Sequence, residues 1–297
     1  MMTFGDISVV VPSYNARRHL VRCLETLREH LPDAEVVVVD GMSVDGSAEM
    51  VAREHPWVTL LRCSNHGWAH ATNRGVELTT RPFLLFLNSD AFPTANAIDA
   101  MRARLRARTE VAAVAPMLEN EDGSRQALFG LWYWPTWREI TRITSVPLLS
   151  AACLMTTRAH FERIGAFDEG FFLYNEELDW CRRARRAGYL LEILPRSVTH
   201  IGGGSTVANP LLQLESQRGF VYLSTKHFPG WVTTCLREAM RVQGSVLKRV
   251  DPRPEYRSMW TQLESIMSRE AYRESPFDLS GRGVPDVLRP SGARGRG

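Results

Sequence analysis

The sequence predicts an α/β protein with a mostly parallel sheet covered by helices on both faces and a helical C-terminal extension. Three observations predict it. Short β-branched runs alternate with repeats of helical spacing over the first 115 or so residues. The pattern then loosens around turn residues and aromatics, and from Pro210 to about Tyr272 the chain reads as helical. Strands that alternate with helices form β-α-β units, whose crossovers place helices over both faces of a parallel sheet.

The elements follow in order. Residues 7–11 (ISVVV) are a buried strand stopped by Pro12, and Leu20, Cys23, Leu24, Leu27 and Leu31 mark one face of a helix. Residues 36–39 are a second strand ended by Asp40-Gly41, followed by a helix over 47–54, a strand over 58–61 and a helix over 68–78. A strand at 83–87, a strong helix at 95–108 and a strand at 111–115 complete the alternation. Beyond it, Asn120 to Ser124 is a turn signal, 129–137 is aromatic-rich, and strands are expected at 151–157 and 190–194. Helices are expected at 159–164 and 175–188, the latter closed by Gly188, and then at 211–226, 232–250 and 256–272. The final stretch, SGRGVPDVLRPSGARGRG, is expected to be disordered. The domain reading is 1–206 for the α/β domain, 207–275 for the helical extension and 276–297 for the tail.

Composition narrows the function. The 297 residues carry 36 Lys plus Arg against 33 Asp plus Glu, and only Lys226 and Lys248 are lysines. From Arg237 onward 12 basic residues face 8 acidic ones, so the excess of positive charge lies in the C-terminal part. That distribution excludes a uniformly basic nucleic-acid binder, and no nucleic-acid partner is expected. A hydrophobic share of 44% is that of a globular chain. No apolar run reaches the roughly 18 residues of a membrane span. The N-terminus, MMTFGDISVVVPSYN, has neither a basic stretch nor a cleavage site, so no signal peptide is expected. Five scattered cysteines without a C-x-x-C pair predict reduced thiols in a cytoplasmic protein.

In an open parallel sheet, ligands bind beyond the carboxyl ends of the strands. The residues placed there are Pro12-Ser13-Tyr14-Asn15, then Asp40 with Asp45-Gly46-Ser47, then Asn65 and Gly67, then Asn88-Ser89-Asp90. No G-x-G-x-x-G follows the first strand and no P-loop is present, which disfavours a Rossmann dehydrogenase and a P-loop kinase. The sheet edge offers carboxylates instead of a glycine cradle. A negative ligand brought to carboxylates needs a cation between them, and hard oxygen ligands suit Mg²⁺ or Mn²⁺. A second constellation, Asn175-Glu176-Glu177-Leu178-Asp179-Trp180, follows the aromatic run Phe171-Phe172-Leu173-Tyr174. Acids in the first turn complement the helix dipole, and a carboxylate beside an apolar pocket gains the raised pKa of a general base.

Taken together, ISVVVPSYNA, VVVVDGMSVDGS, NHGWAHATNRG, FLLFLNSDA, IGAFDEGFFLYNEELDWCRRARRAGY and VTHIGGGST resemble the family 2 glycosyltransferases of the GT-A fold, in particular bacterial rhamnosyltransferase-like members. The resemblance spans about residues 7–206. It implies transfer of a sugar, with inversion, from a nucleoside-diphosphate sugar (UDP-, dTDP- or GDP-linked) to a hydroxyl of a glycan or lipid-linked acceptor, with Mg²⁺ or Mn²⁺ as cofactor. By position, Pro12, Tyr14 and Asp40 surround the nucleoside, with Asp45, Asn65, Gly67 and Asn73 in the same donor pocket. Asn88-Ser89-Asp90 stands where the family has its D-x-D-like motif, which makes Asp90 the main carboxylate ligand and His200 the additional metal ligand. Glu177 stands at the Asp of the family's Glu-Asp pair and is the expected base, with Glu176 and Asp179 as the other candidates. His70 and Ala71 depart from the glycines that relatives often carry in the third motif.

The acceptor side is less defined. Phe129, Trp132, Tyr133, Trp134 and Trp137 suit sugar stacking, a membrane interface or a core plug. Trp231, Val232, Leu236, Met240 and Leu247 with Arg237, Arg241, Lys248 and Arg249 predict an amphipathic basic helix, either packed or in peripheral contact with the inner face of a membrane. The alternative to an enzyme is a non-catalytic glycan- or nucleotide-sugar-binding module on the same fold.

Overall fold

The computed structural model of the chain describes residues 3–126, 141–202 and 209–277. In chain order the elements are β1 (Ile7–Ser13), α1 (Arg17–His30), β2 (Glu35–Asp40), α2 (Ser47–Glu54), β3 (Thr59–Arg62), α3 (Trp68–Glu77), β4 (Phe83–Leu87), β5 (Ala91–Phe92), α4 (Ala95–Ala107), β6 (Val111–Glu119) and β7 (Thr144–Ser145). They continue with β8 (Cys153–Thr157), α5 (Arg158–Ile164), α6 (Glu176–Arg186), β9 (Leu190–His200), α7 (Pro210–His227), α8 (Gly230–Val250), α9 (Pro254–Ser268) and a 3-10 turn at Ala271–Arg273. The chain forms two compact units that do not follow chain order. The first comprises Met1–Asn65, His70–Phe167 and Trp180–Gly202; the second comprises His66–Ala69, Asp168–Asp179 and Gly203–Gly297.

Among the described residues the first unit is built on a nine-stranded sheet in the order β3-β2-β1-β4-β8-β6-β9-β5, with β7 also paired to β9. Strands β3, β2, β1 and β4 are parallel neighbours, as are β6 and β9. Strand β8 enters antiparallel between β4 and β6, and the short β5 and β7 run antiparallel to β9, so the sheet is mixed. Every residue of β1 is buried, as a strand covered on both faces requires. One face packs Val9, Val11, Val36 and Val38 against Leu20, Leu24, Leu27, Met50 and Met101. The other carries Phe86, whose ring lies 5.4 Å from Phe161 and 5.1 Å from Phe167, and Phe167 in turn meets Trp180.

Strand lengths differ from the sequence expectation for identifiable reasons. Strand β1 continues through Pro12, which pairs with Val39 of β2, while pairing with β4 ends at Val10, so the missing N–H faces no ladder partner. Strand β9 runs eleven residues to His200 instead of stopping at Leu194. Its register against β6 jumps from Leu194 to Ser197, leaving Pro195 and Arg196 in a bulge. Two-residue strands such as β5 carry no period and escape sequence reading. The aromatic stretch at 129–137, including Trp132, Trp134 and Trp137, and the tail from 278 lie outside the described residues.

In the second unit, α7 is buried around much of its circumference, with Leu212, Leu214, Glu215, Arg218, Val221, Leu223 and His227 all inside. Leu214, Val221, Met259, Trp260, Leu263 and Met267 form its core, with Met240 and Leu247 packed against them. Met240 and Leu247 therefore point inward, the packed one of the two alternatives expected for this helix. The outward face of α8 is instead Trp231, Cys235, Ala239, Val242, Val246 and Val250, spaced three or four residues apart, with Trp231 70% exposed. No helix among the described residues is long and apolar enough to cross a membrane.

One close approach sets the first unit's helix–sheet packing. A Cβ on Gly75 would lie 2.4 Å from Val10 Cγ1 and 3.1 Å from Val39 Cγ2. Gly75→Ala gains about 1 kcal/mol in helix propensity but overpacks the interface at about 1–3 kcal/mol. Its urea midpoint is expected to fall below that of the parent, and a rise would show that the helix sits further from the sheet.

Candidate active site

In the first unit the carboxyl ends of β1 and β2 are stitched together by their loops. Asn15, in the left-handed region at φ 49°, takes a hydrogen bond on its amide oxygen from Val44 N–H (2.9 Å), and its own N–H donates to Ser43 Oγ (2.9 Å). Asp45 accepts from the N–H of Arg17 (2.9 Å) and from the N–H and hydroxyl of Ser47. Burial raises its pKa, but these hydrogen bonds outweigh that and hold it below the ordinary carboxylate value. Asp45 thus ties the starts of α1 and α2 together.

Asp40 is fully buried at the register position opposite Ser13. Its Oδ2 accepts from Ser43 N–H at 3.0 Å and lies 3.7 Å from Arg62 Nε. Its Oδ1, like Ser13 Oγ, is buried with no hydrogen-bond partner among the described residues. A buried lone pair without a donor is costly, and a ligand N–H or O–H supplies one. Tyr14 and Asn65 stand beside it: a Cβ on Gly41 would lie 3.4 Å from the Tyr14 ring and 3.2 Å from Asn65. Asn73 is spent on structure, since its amide both donates to Phe167 C=O (2.9 Å) and accepts from Phe167 N–H (3.1 Å).

Further along the edge, Asn88, Ser89 and Asp90 follow β4, half-buried. Antiparallel pairing of β5 with β9 sets Ala91 opposite His200. As a result Asp90 Oδ1 lies 3.2 Å from His200 Nε2, with Asn88 Nδ2 3.4 Å from the same nitrogen. Asp90 Oδ2 accepts from Gly202 N–H at 3.1 Å. Burial pushes the Asp90 pKa up, and His200 with the Gly202 N–H more than reverses this, so the carboxylate stays ionised. Among the described residues no cluster of three or more His, Cys, Asp or Glu forms a complete metal cage. An oxygen and a nitrogen donor converging from two strands instead fit a divalent cation with its other positions open to ligand oxygens and water.

The second unit holds the acidic helix start. Tyr174 and Asn175 both adopt positive φ (69° and 74°), an unfavourable conformation for non-glycine residues that the surroundings must impose. They are held from α7, where Asn175 Nδ2 donates to Ser216 C=O at 3.1 Å. A Cβ on Gly219 would lie 2.8 Å from that amide nitrogen. The buried pair Glu215–Arg218 reinforces the loop: Glu215 accepts from Phe172 N–H (3.1 Å), and Arg218 donates to Gly170 C=O (2.9 Å) and Tyr272 C=O (3.1 Å). Gly67 lies in this second unit, where a side chain on it would collide with the carbonyl of Phe172.

The three acids of the α6 start differ in their surroundings. Asp179 is fully buried, 2.8 Å from His227 Nε2 and 2.7 Å from Lys226 Nζ, so its charge is engaged by α7. Glu176 is 4% exposed and Glu177 half-buried, and each has an Oε2 buried without a hydrogen-bond partner among the described residues. Burial, then the neighbouring Glu177, raises the Glu176 pKa well above its ordinary value; burial also raises that of Glu177. Lys226, His227, Glu215 and Arg218 were not singled out in the sequence, although a buried Glu and Arg at i,i+3 are a visible pattern. A carboxyl favoured in its protonated form by folding stabilises the protein at low pH, and this is lost as pH rises through its folded pKa. Glu176→Gln is therefore expected to be more stable than the parent at pH 8 and to converge on it below about pH 4, as read from denaturant midpoints across pH. A parent as stable as the variant at pH 8 would contradict the burial of this charge.

Comparison with known proteins bears on the family and the fold. Residues 8–165 match Glycosyl transferase family 2. The chain is 27% identical over 274 residues to the N-acetylglucosaminyl-diphospho-decaprenol L-rhamnosyltransferase of Mycobacterium tuberculosis, covering 79% of this chain and 89% of that protein. Among solved structures, its fold is similar to the mannosyltransferase PcManGT from Pyrobaculum calidifontis in complex with GDP-Man and Mn²⁺ (TM-score 0.58, 18% identity, 92% of this chain and 87% of that one). It is also similar to GalNAc-T7 with UDP, GalNAc and Mn²⁺ (TM-score 0.60, 16% identity, 90% and 56%). The family match, over more than half of the chain, makes it a member of glycosyltransferase family 2.

Proposed function

We propose that the protein transfers a hexosyl or deoxyhexosyl group, with inversion, from a nucleoside-diphosphate sugar to a hydroxyl of a lipid-linked glycan. The observation that carries this reading is the pair of donors, Asp90 and His200, converging at the sheet edge that also holds the open oxygen of Asp40. Asp40 Oδ1 takes a hydrogen bond from the nucleoside, and Tyr14 lies beside the base. Asp90 and His200 would hold a divalent cation, which would supply positive charge to the leaving diphosphate. Glu177 takes the proton of the acceptor hydroxyl as its oxygen attacks the anomeric carbon from the face opposite the diphosphate. The half-buried setting of Glu177 favours it over Glu176, which is closed in, and over Asp179, which is committed to Lys226 and His227. The name of the mycobacterial relative supports rhamnose as the sugar and a polyprenyl diphosphate as the acceptor's anchor.

Such an acceptor lies at a membrane, and the outward face of α8 suits that surface. Its apolar stripe begins at Trp231 and runs through Val242, Val246 and Val250. Arg237, Arg241 and Lys248 are engaged by Glu238, Glu270 and Glu264, so the exposed apolar stripe, with Arg249 beside its end, is what suits a lipid surface.

Glu177→Gln is expected to lower kcat by about 10²-fold or more, as loss of a general base does, while calorimetry shows donor binding retained. Asp90→Ala is expected to abolish the Mn²⁺ dependence of donor binding. Turnover near that of the parent in the first variant, or unaltered Mn²⁺ dependence in the second, removes the corresponding role. The parent is expected to float with vesicles containing phosphatidylglycerol, and Val242→Glu with Val246→Glu is expected to abolish this. A parent that stays with the unbound fraction rules out the α8 contact.

A further inference from the structure

The turn at residues 120–126 has no part in the chemistry described so far, yet its side chains end on His200. They form one directed chain of hydrogen bonds. The hydroxyl of Ser124 donates to Asp122 Oδ1 at 2.6 Å, which leaves Ser124 Oγ to accept from Asn120 Nδ2 at 2.9 Å. The amide oxygen of Asn120 then accepts from Gln126 Nε2 at 2.8 Å, and that same Nε2 donates to the carbonyl of His200. With both donations fixed, Gln126 presents its oxygen, Oε1, 2.8 Å from His200 Nδ1. Each link has only one consistent polarity, because it starts from a carboxylate that can only accept. Asp122 stays ionised, since hydrogen bonds from Ser124 keep its pKa low.

The consequence lies at the far side of the ring. With Nδ1–H held by Gln126, a neutral ring has its lone pair on Nε2, facing the Asn88 Nδ2 donor 3.4 Å away. Nε2 and Asp90 Oδ1, 3.2 Å apart, then need positive charge between them, a proton when the ring is charged and a cation when it is neutral. The approach is tight by construction. Gly202 sits at φ 51°, and a Cβ there would lie 2.9 Å from His200 Cε1 and 3.2 Å from Gln126 Nε2.

We infer that Asp122, Ser124, Asn120 and Gln126 form a carboxylate-anchored relay that fixes the Nδ1–H tautomer of His200 and directs its Nε2 lone pair at the cation site, with Gln126 as the positioning residue. Partners of this kind, behind a ligating histidine, orient the ring and raise its basicity, and their loss typically costs 10–100-fold in metal affinity. The inference rests on the reading of Asp90 and His200 as metal ligands, and two measurements separate its failure from the failure of that reading.

The first is ¹⁵N NMR of the histidines in the metal-free protein, with His200 assigned through His200→Asn. The parent is expected to show the Nδ1–H tautomer and Gln126→Leu a shift toward Nε2–H. A parent in the Nε2–H tautomer overturns the relay whatever the metal does. The second is Mn²⁺ affinity, titrated with the metal alone and read by electron paramagnetic resonance. Gln126→Leu is expected to bind about 10–100-fold more weakly, and Gln126→Glu, which keeps the acceptor, at least as tightly as the parent. Ser124→Ala, which cuts the chain two links back, is expected to weaken binding in the same direction by less, with an unchanged melting temperature. Equal affinity of the parent and Gln126→Leu, while His200→Asn loses Mn²⁺, overturns the relay and leaves the ligand assignment standing. Absence of Mn²⁺ binding in the parent instead overturns the ligand assignment and the relay's role toward a metal.

Discussion

The pairing of β5 with the end of β9 is the contact on which the approach of Asp90 to His200 depends. It is only two residues long, Ala91 opposite His200 and Phe92 opposite Thr199. Backbone bonds extend it, from Ile201 N–H to Asp90 C=O and from Gly202 N–H to the Asp90 carboxylate. These links join positions more than a hundred residues apart in the chain. Parallel strands can deliver residues only to one edge of the sheet; the antiparallel crossing at that edge turns Asp90 and His200 toward each other. The turn at 120–126 inherits its place from the same source, because β6, which leads into it, is the parallel neighbour of β9.

The second unit solves a different problem, holding acidic side chains at a helix start that the local backbone would not adopt by itself. Two successive left-handed non-glycine residues cost on the order of 1–3 kcal/mol each. The fold offsets that with fixed partners from α7. A buried ion pair is weak evidence for stability in general, since desolvation opposes the attraction. Here Glu215 and Arg218 spend their remaining hydrogen-bonding capacity on Phe172, Gly170, Tyr272 and Ser275, so the pair acts as a template for backbone. The Phe172 ring stacks on Phe277 at 4.2 Å, which extends that template to the last described residues.

Much of this was legible in the sequence, for physical reasons. Buried strands such as β1, β2 and β4 are near-continuous apolar runs, and α1 and α4 repeat at helical spacing, so period alone locates them. Asp40, Asn88 and Asp90 could be placed at one edge of the sheet because a residue following a parallel strand must lie at the strand's carboxyl end. Glu176, Glu177 and Asp179 were visible as a cluster, but sequence cannot distinguish a carboxylate that is engaged from one that is open; Lys226 and His227 make that distinction for Asp179. Gly67 and Asn73 occupy the expected stretch, yet the first serves close packing and the second braces Phe167. The direction of β8, the bulge at Pro195 and the inward turn of Met240 and Leu247 are tertiary decisions with no local signal. Gln126 escaped notice because a lone glutamine after a turn has no distinguishing pattern until the ring it touches is known.

The interleaving of the two units bears on how the protein comes into being. Translation delivers the segment at 168–179 well before its supports: Glu215 comes 43 residues after Phe172, and Tyr272, which completes the contacts of Arg218, comes 54 residues after Arg218. At ribosomal speeds that interval is on the order of ten seconds. During it the first-unit strands up to β9 can already pair, while Glu176 and Glu177 lack the scaffold that shapes their loop. The nascent chain therefore carries all the strands of its sheet before it carries the helices that support the acidic turn.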